Sequence, residues 1–223
     1  MLQKTRGIVL RFTRFKETSI IVTIFTEAFG THAYIVNNVH SNKSTAKLAL
    51  FQPLTLLDLV VYHRPNQQIA RIKELKCLYA FQSFSTDVKK SSIALFLSEI
   101  LNKSLKEESH PEALFEFLQN SFITFDHLST GVENFHLIFL LKLSRYLGFG
   151  ANRSDEVLID SLAHNTDNEG ITVLLEADYT TPLNLSYTQR RQVLDALIQF
   201  YASHLDSFGE VRSLEVVREL LAK

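Results

Sequence analysis

The sequence predicts an α+β fold, with a small β-barrel at the N-terminus and an α-helical region after it. Over about the first 78 residues, apolar and polar residues alternate with a period of two, which is typical of strands with one buried face. From about residue 80, apolar residues recur every three or four positions, as they do in helices. The charge changes at the same place. We therefore expect two domains, residues 1–80 and residues 81–223.

Five segments of the first 80 residues have the composition of strands. In the first, Ile8, Leu10 and Phe12 alternate with polar neighbours. The others are rich in β-branched and aromatic residues and are separated by Gly, Pro or Asn turns; they are residues 19–26, 32–36, 54–63 and 67–76. Capping residues and helix formers occupy residues 41–51. This order matches an OB-fold barrel, and an SH3-like barrel is the alternative that the pattern leaves open.

The region after residue 80 contains five predicted helices. Each has apolar residues at helical spacing; they are residues 86–106, 111–128, 133–149, 186–205 and 213–221. The third is apolar on nearly all sides, so we expect it to be the buried centre of a bundle, with His136 as a hydrogen-bonded core histidine. Residues 150–185 include stretches rich in Asn, Asp and Gly, and we interpret them as a loop or β-hairpin insert.

Motifs that would indicate an enzyme are absent from the sequence. There is no G-x-S-x-G elbow, no Gly-rich phosphate loop, no H-E-x-x-H and no cysteine pair, so we expect no catalytic residues, no metal site and no cofactor. We expect the one cysteine, Cys77, to be buried and reduced. No stretch approaches the ~18 apolar residues of a membrane span, and no signal peptide is evident, so we expect a cytoplasmic protein without membrane contact.

Charge is distributed unevenly along the chain. Residues 1–78 contain eleven Lys and Arg against four Asp and Glu, a net charge of +7, whereas the remaining residues contain 12 against 20, a net charge of −8. A basic region of this size is the usual electrostatic feature of a part that binds a polyanion. An accident of surface composition is the alternative explanation.

Aromatic residues are interleaved with these cations. Cations contact phosphates and aromatic rings stack on bases, which is the combination that single-strand binders use. Phe12 shares the apolar face of its strand, so we assign it to the core, whereas Phe15 lies between two cations and is the stacking candidate. Tyr34 and Tyr62 are further aromatics in this region. The candidate DNA-binding residues are Arg11, Arg14, Phe15, Lys16, Lys43, Lys47, Arg64, Arg71, Lys73 and Lys76.

Several short motifs together resemble a known family. They are "ETSI" at the entry to the second strand, "FTEAFG" at the following hairpin, a Lys-Ser pair before "FQPLTLLDLVV", "FLLKLSRYLGFG" in the central helix and "SLEVVREL" at the end. In this order and spacing they resemble the RecO family of recombination mediators. The resemblance extends from Gly7 to Leu220.

The resemblance implies a non-enzymatic mediator of homologous recombination and DNA repair, associated with the nucleoid. Proteins of this family bind single- and double-stranded DNA, anneal complementary strands, engage the acidic C-terminal tail of the single-strand-binding protein, and with RecR help RecA to load. The terminal carboxylate of that tail requires cations in the helical region, and the candidates are Arg145, Arg190 and Arg191, for which an ordinary solvated surface is the alternative.

The sequence departs from the family in two respects. Many relatives hold zinc with four cysteines after the Leu-Gly-Phe segment, but residues 150–185 contain no cysteine, so this chain resembles a zinc-free branch. The segment before the Lys-Ser pair keeps only His40 and Lys43 of a denser basic run. This second departure shifts the expected DNA contacts toward the first and fifth strands.

Two other functions remain open at this point. The barrel could belong to a protein-interaction scaffold that binds an acidic partner peptide instead of DNA. A nuclease is a weaker alternative, because metal-dependent cleavage requires clustered carboxylates. The four acidic residues of the barrel region are dispersed over separate elements; they are Glu17, Glu27, Asp58 and Glu74.

Overall fold

The computed structural model describes residues 1–37, 39, 48–64, 67–105, 111–158 and 168–220. The chain forms two compact units. The first unit consists of Met1–Gln82 and Leu97–Phe122, and the second consists of Ser83–Phe96 and the residues from Ile123 onward. Two helices, α1 (Val88–Ser104) and α2 (Pro111–His127), therefore contribute residues to both units. The first unit thus includes residues beyond the 1–80 segment that the sequence predicts as a domain.

A closed five-stranded barrel forms the β-structure of the first unit. Its strands are β1 (Leu2–Phe15), β2 (Ser19–Thr26), β3 (Gly30–Val36), β4 (Leu56–Tyr62) and β5 (Ile69–Tyr79). They pair in the order β1-β2-β3-β5-β4, and β4 closes the barrel on β1. Only the β3–β5 pair is parallel. This is the OB-like barrel that the strand pattern predicts. The predicted helix at 41–51 lies mostly outside the described residues.

The barrel core follows the alternation in the sequence. On β2, Ile20, Val22 and Ile24 are fully buried, whereas the intervening side chains are partly exposed. Burial of each such side chain contributes roughly 1.5–3 kcal/mol to stability. Gly7 on β1 permits the close packing of this core, since a Cβ atom there would lie 2.7 Å from Ile24 Cγ2 and 2.8 Å from Leu59 Cδ1.

Strand β5 is largely exposed. It pairs with β3 only through residues 69–71, and from there onward it pairs with β4 alone. Its second half therefore lacks a neighbour on one side. The prediction that Cys77 is buried is wrong, because Cys77 lies in this half and its side chain is exposed.

The second unit is helical, as predicted. After α1 and α2 come a short 3-10 helix (Val132–Asn134) and five helices: α3 (Phe135–Tyr146), α4 (Ser154–Leu158), α5 (Asn168–Glu176), α6 (Tyr187–His204) and α7 (Leu214–Leu220). Helix α3 is central, with nine of its twelve residues buried against neighbours that include α5 and α6. None of the described helices has the length and hydropathy that crossing a bilayer requires.

The insert at 150–185 differs from its prediction as a loop or β-hairpin. Its described part contains α4 and α5 instead. In α5, Ile171 and Leu174 are three positions apart and both are buried, so a helix places them on one face. In α4, Asp155 and Glu156 occupy the first turn, where acidic residues favour a helix. Tertiary burial therefore outweighs the Asn, Asp and Gly residues on which the prediction of a loop or hairpin rested.

Candidate nucleic-acid interface

The strand registers bring outward-facing residues of four strands into continuous rows. One row consists of Thr13, Ile21, Ile35 and Arg71, which pair successively across β1, β2, β3 and β5. A parallel row begins at Arg11, which pairs with Thr23 on β2. Directly paired residues project to the same side of a sheet. The outer surface of these strands therefore has small and apolar side chains in its middle and cations at its edges.

The β1 edge of this surface holds four of the predicted residues. Arg11 and Arg14 are exposed, and the ring of Phe15 is 37% exposed at the end of the strand. Lys16 follows in the turn with a φ of 59°, and its Nζ lies 5.4 Å from the centroid of the Phe15 ring. A ring and an ammonium group are thus held side by side at the rim of the barrel.

The β5 edge holds two more of the predicted residues beside a groove. Arg71 and Lys73 line this open groove of about 390 Å³ together with Ile35, Val36, Asn37, Ile72 and Leu75. The hydroxyl of Ser19, the residue that pairs with Phe15, donates to Asn37 Oδ1 at 2.9 Å. The groove therefore adjoins the end of the barrel at which Phe15 lies. We call the exposed surface that bears Arg11, Arg14, Phe15, Lys16, Arg71 and Lys73 the cationic face. Arg14 belongs to its rim, because it pairs with buried Ile20 and is exposed only at the end of the barrel.

Four predicted residues lie elsewhere or cannot be placed. Lys76 pairs with Asp58 across β4 and β5, so an acidic residue neighbours its charge. Arg64 follows β4, two residues beyond Tyr62, and lies outside the strand pairings that define this surface. Lys43 and Lys47 lie outside the described residues.

Arg6 shows why a barrel cation need not be available to a ligand. Its Nε donates to Glu27 Oε2 at 2.8 Å, Nη2 contacts the other carboxylate oxygen, and Nη1 donates to Gln119 Oε1 at 3.3 Å. The guanidinium also lies over the ring of Phe115. Hydrogen bonding within this pair raises the pKa of Arg6 and lowers that of Glu27. The guanidinium of Arg6 is therefore occupied by contacts within the first unit and is not available to a ligand.

The aromatic residues of the barrel are buried or exposed according to their positions on the strands. Phe12 is partly buried and packs against the barrel core, as predicted. Tyr34 is fully buried, and burial raises its pKa to about 12, so it belongs to the core as well. Tyr62 is 46% exposed at the end of β4, directly opposite Arg71. The sequence shows Tyr62 among the cations, but pairing with Arg71 becomes visible only from the register.

The arginines predicted to bind a partner lie in two places of the second unit. Arg190 and Arg191, the fourth and fifth residues of α6, line a small cavity of about 10 Å³ with His136, Tyr187 and Arg218. Arg145, near the end of α3, does not line it; its Nη2 donates to Leu175 O at 3.3 Å. Arg218 was not predicted from the sequence. It pairs with Asp195 and Glu215, and burial acts against the rise in pKa that these carboxylates cause.

His136 is the unusual member of this cavity. It is 1% exposed, and burial together with the charge of Arg190 lowers its pKa to about 3. The prediction of a core histidine is correct, but its hydrogen bonding differs from the prediction. Its Nδ1 atom has no hydrogen-bond partner among the described residues.

The described residues contain no group of three or more His, Cys, Asp or Glu side chains that could hold a metal ion. The sequence has a single cysteine, Cys77 on β5, so it cannot supply the four thiolates of the zinc site that the resemblance implies for many relatives.

The fold defines a class: proteins with an OB-like barrel at the N-terminus followed by a helical region. Residues 1–81 match the family "Recombination protein O N terminal" and residues 85–161 match "Recombination protein O C terminal". A DNA repair protein RecO from Bacteroides fragilis is 36% identical over 240 residues, covering 99% of both chains. One from Flavobacterium johnsoniae is 34% identical over 235 residues, covering 98% of this chain and 99% of its own.

The chain therefore belongs to the RecO family, as the sequence motifs indicate. A further relative, from Phocaeicola vulgatus, is 34% identical over 241 residues and matches both chains over their full length. This membership supports a role in DNA repair and recombination.

Proposed function

We propose that this chain is a non-enzymatic mediator of recombination and repair that binds single- and double-stranded DNA through the cationic face. The observation that carries the proposal is the placement of five exposed cations along two edges and the adjoining rim of one barrel surface; they are Arg11, Arg14, Lys16, Arg71 and Lys73. The apolar strip between them includes Ile21 and Ile35, which suits sugars and bases.

The binding energy in this proposal is largely electrostatic. Each neutralised phosphate adds about 0.7 to 0.9 to the slope of log affinity against log salt concentration. Five cations therefore give a slope of at most roughly 3.5 to 4.5. Lys73 contributes less than the other four, because its Nζ lies 3.6 Å from Glu74 Oε1. Phosphates carry no base identity, so little sequence preference is expected. Such a surface can hold two strands of any sequence close together, which supports annealing.

The partners in the proposal follow from family membership. The chain would act with RecR, engage the acidic C-terminal tail of the single-strand-binding protein and assist RecA indirectly, in the cytoplasm and without zinc or another cofactor. The start of α6 supports the tail interaction, because Arg190 and Arg191 lie near a helix N-terminus, which favours a carboxylate. The cavity itself, at about 10 Å³, is too small to enclose a carboxylate, so the tail would bind at the surface beside it. Arg145 on α3 offers a second place for the tail.

Fluorescence anisotropy of a labelled 20-nucleotide single strand across a salt series tests the DNA-binding proposal. The variant Arg11→Glu/Arg14→Glu/Lys16→Glu should bind at least about ten-fold more weakly, with a smaller salt slope, because it removes about three phosphate contacts. The matched control is Lys89→Glu/Arg153→Glu/Arg212→Glu, which changes the net charge equally at exposed positions of the second unit.

The outcomes separate the proposal from its alternatives. Equal weakening by both triple variants would show that overall charge matters and the cationic face does not. If the wild-type protein fails to bind DNA even at low salt, the DNA-binding proposal is wrong. The scaffold that binds an acidic peptide would then be favoured.

A further inference from the structure

We infer that Tyr62 is a base-stacking residue that extends the DNA site from the cationic face onto β4. This inference rests on the proposed DNA binding and assigns one residue a role in it. In the described part of the barrel, Phe15 and Tyr62 are the two exposed aromatic residues. An exposed ring is available for stacking, whereas the buried ring of Tyr34 is not.

The register places Tyr62 beside a cation that the cationic face already contains. Tyr62 pairs with Arg71 across β4 and β5, and Arg71 pairs with Ile35 on β3. Directly opposed residues have Cβ atoms about 4.5–5.5 Å apart. A phosphate bound by Arg71 would therefore have its base within reach of the Tyr62 ring.

No other described ring or cation occupies the face of Tyr62. Its neighbour on the opposite side is Leu2, which pairs with it across β1 and β4 and is also exposed. Tyr62 thus has a cation on one side and an apolar side chain on the other. This combination suits a nucleobase, which has an apolar face and an attached phosphate.

Tyr62 and Phe15 lie at opposite edges of the cationic face. The row from Tyr62 to Thr13 crosses four strand spacings of about 4.8 Å, or roughly 19 Å around the barrel, and Phe15 is two residues beyond Thr13. Arg71 and Lys73 lie between these two rings. A single strand laid across the barrel would therefore meet a ring at each edge and cations between them.

The first test compares Tyr62→Ala with wild type on three ligands: a 20-nucleotide oligothymidine, an abasic strand of equal length, and a duplex. The variant should bind oligothymidine at least about five-fold more weakly, since stacking contributes about 1 kcal/mol or more per base. Affinity for the abasic strand and the duplex should change less than about two-fold, because neither offers an unstacked base. Tyr62→Phe should retain binding. Tyr146→Ala is the control, because Tyr146 is 47% exposed on α3.

A direct readout uses the absence of tryptophan from the chain. Tyr62→Trp introduces a single indole, whose fluorescence should be quenched when oligothymidine binds and unchanged when the abasic strand binds. Tyr146→Trp provides the matched reference. Normal binding of oligothymidine by Tyr62→Ala, without quenching in Tyr62→Trp, would overturn the inference and leave DNA binding intact. Equal losses on all three ligands would also overturn it. Failure of wild type to bind any of them would refute the proposed function itself.

Discussion

Burial lowers the pKa of His136 by an amount that its position in the sequence does not reveal. The imidazole is enclosed in the second unit with Arg190 nearby, and its ring meets Phe96 edge to face. A protonated imidazole in this place would lose its hydration and face a guanidinium. These two effects lower the pKa of His136 to about 3, in that order of importance. His136 is therefore neutral in the folded protein at physiological pH.

The stability of the second unit should consequently depend on pH through His136. An unfolded histidine has a pKa of about 6.5, so the unfolded state binds a proton first as the pH falls. The stabilisation is complete above pH 6.5 and is lost progressively toward pH 3. Between pH 7.5 and 5.5, wild type should lose about 1.4 kcal/mol more than His136→Leu.

Urea unfolding followed by circular dichroism at the two pH values measures this difference. The same substitution at exposed His127 provides the comparison. An identical pH dependence for wild type and His136→Leu would contradict the buried, neutral state of His136.

Individual residues were predictable from the sequence where strand alternation decides burial, as for Phe12 in the core. The exposure of Phe15 was expected from its place between two cations. The sequence did not reveal the exposure of Cys77, because it depends on where β3 stops pairing with β5. The pairing of Tyr62 with Arg71 likewise depends on a register shift in β4 and β5. Exposure and cross-strand neighbours that depend on pairing between distant segments therefore cannot be predicted from a local sequence pattern.

Helix α6 shows how one element positions functional side chains. Ser186 and Gln189 form a capping box: Gln189 N donates to Ser186 Oγ at 3.2 Å, and Ser186 N donates to Gln189 Oε1 at 2.8 Å. The next two residues are Arg190 and Arg191. The capping box orders the start of α6, and it thereby fixes the positions from which the side chains of Arg190 and Arg191 reach the cavity.

Removal of the cap should destabilise this element. Ser186→Ala is expected to reduce the free energy of unfolding by about 1 kcal/mol, because it leaves N–H groups of the first turn without their acceptor. Ser186→Asp keeps an acceptor and should restore most of the loss. Thermal and urea unfolding measure both variants. If Ser186→Ala and Ser186→Asp were equally stable, the capping interaction would have no energetic role.

Elements with strong periodicity were predictable, and the insert at 150–185 was not. The long helices and all five strands were found near their predicted positions, because each carries its own hydrophobic pattern. Helices α4 and α5 have only five and nine residues. Such short helices depend on packing for their stability, and packing is not visible in a local sequence pattern.

At the scale of the whole molecule, the two proposed binding activities belong to parts of the chain with opposite net charge. The first 78 residues carry a net charge of +7 and the rest a net charge of −8. The cationic face lies in the first unit, whereas the α6 cavity is a small group of cations in an otherwise acidic region. An acidic peptide tail bound there needs local pairing with arginine, since the surrounding charge repels it.

Two sets of variants should therefore weaken the two activities separately. Arg191→Glu should weaken binding of a labelled acidic peptide with a free C-terminus by about five-fold or more, because it removes a charge-assisted contact of about 1 kcal/mol or more and adds repulsion. Its DNA affinity should change less than about two-fold, because Arg191 is not part of the cationic face. The variant Arg11→Glu/Arg14→Glu/Lys16→Glu should show the reverse behaviour. Arg145→Glu makes the same charge change outside the cavity, so a larger loss of peptide binding at Arg145 would place the tail at α3 instead of α6.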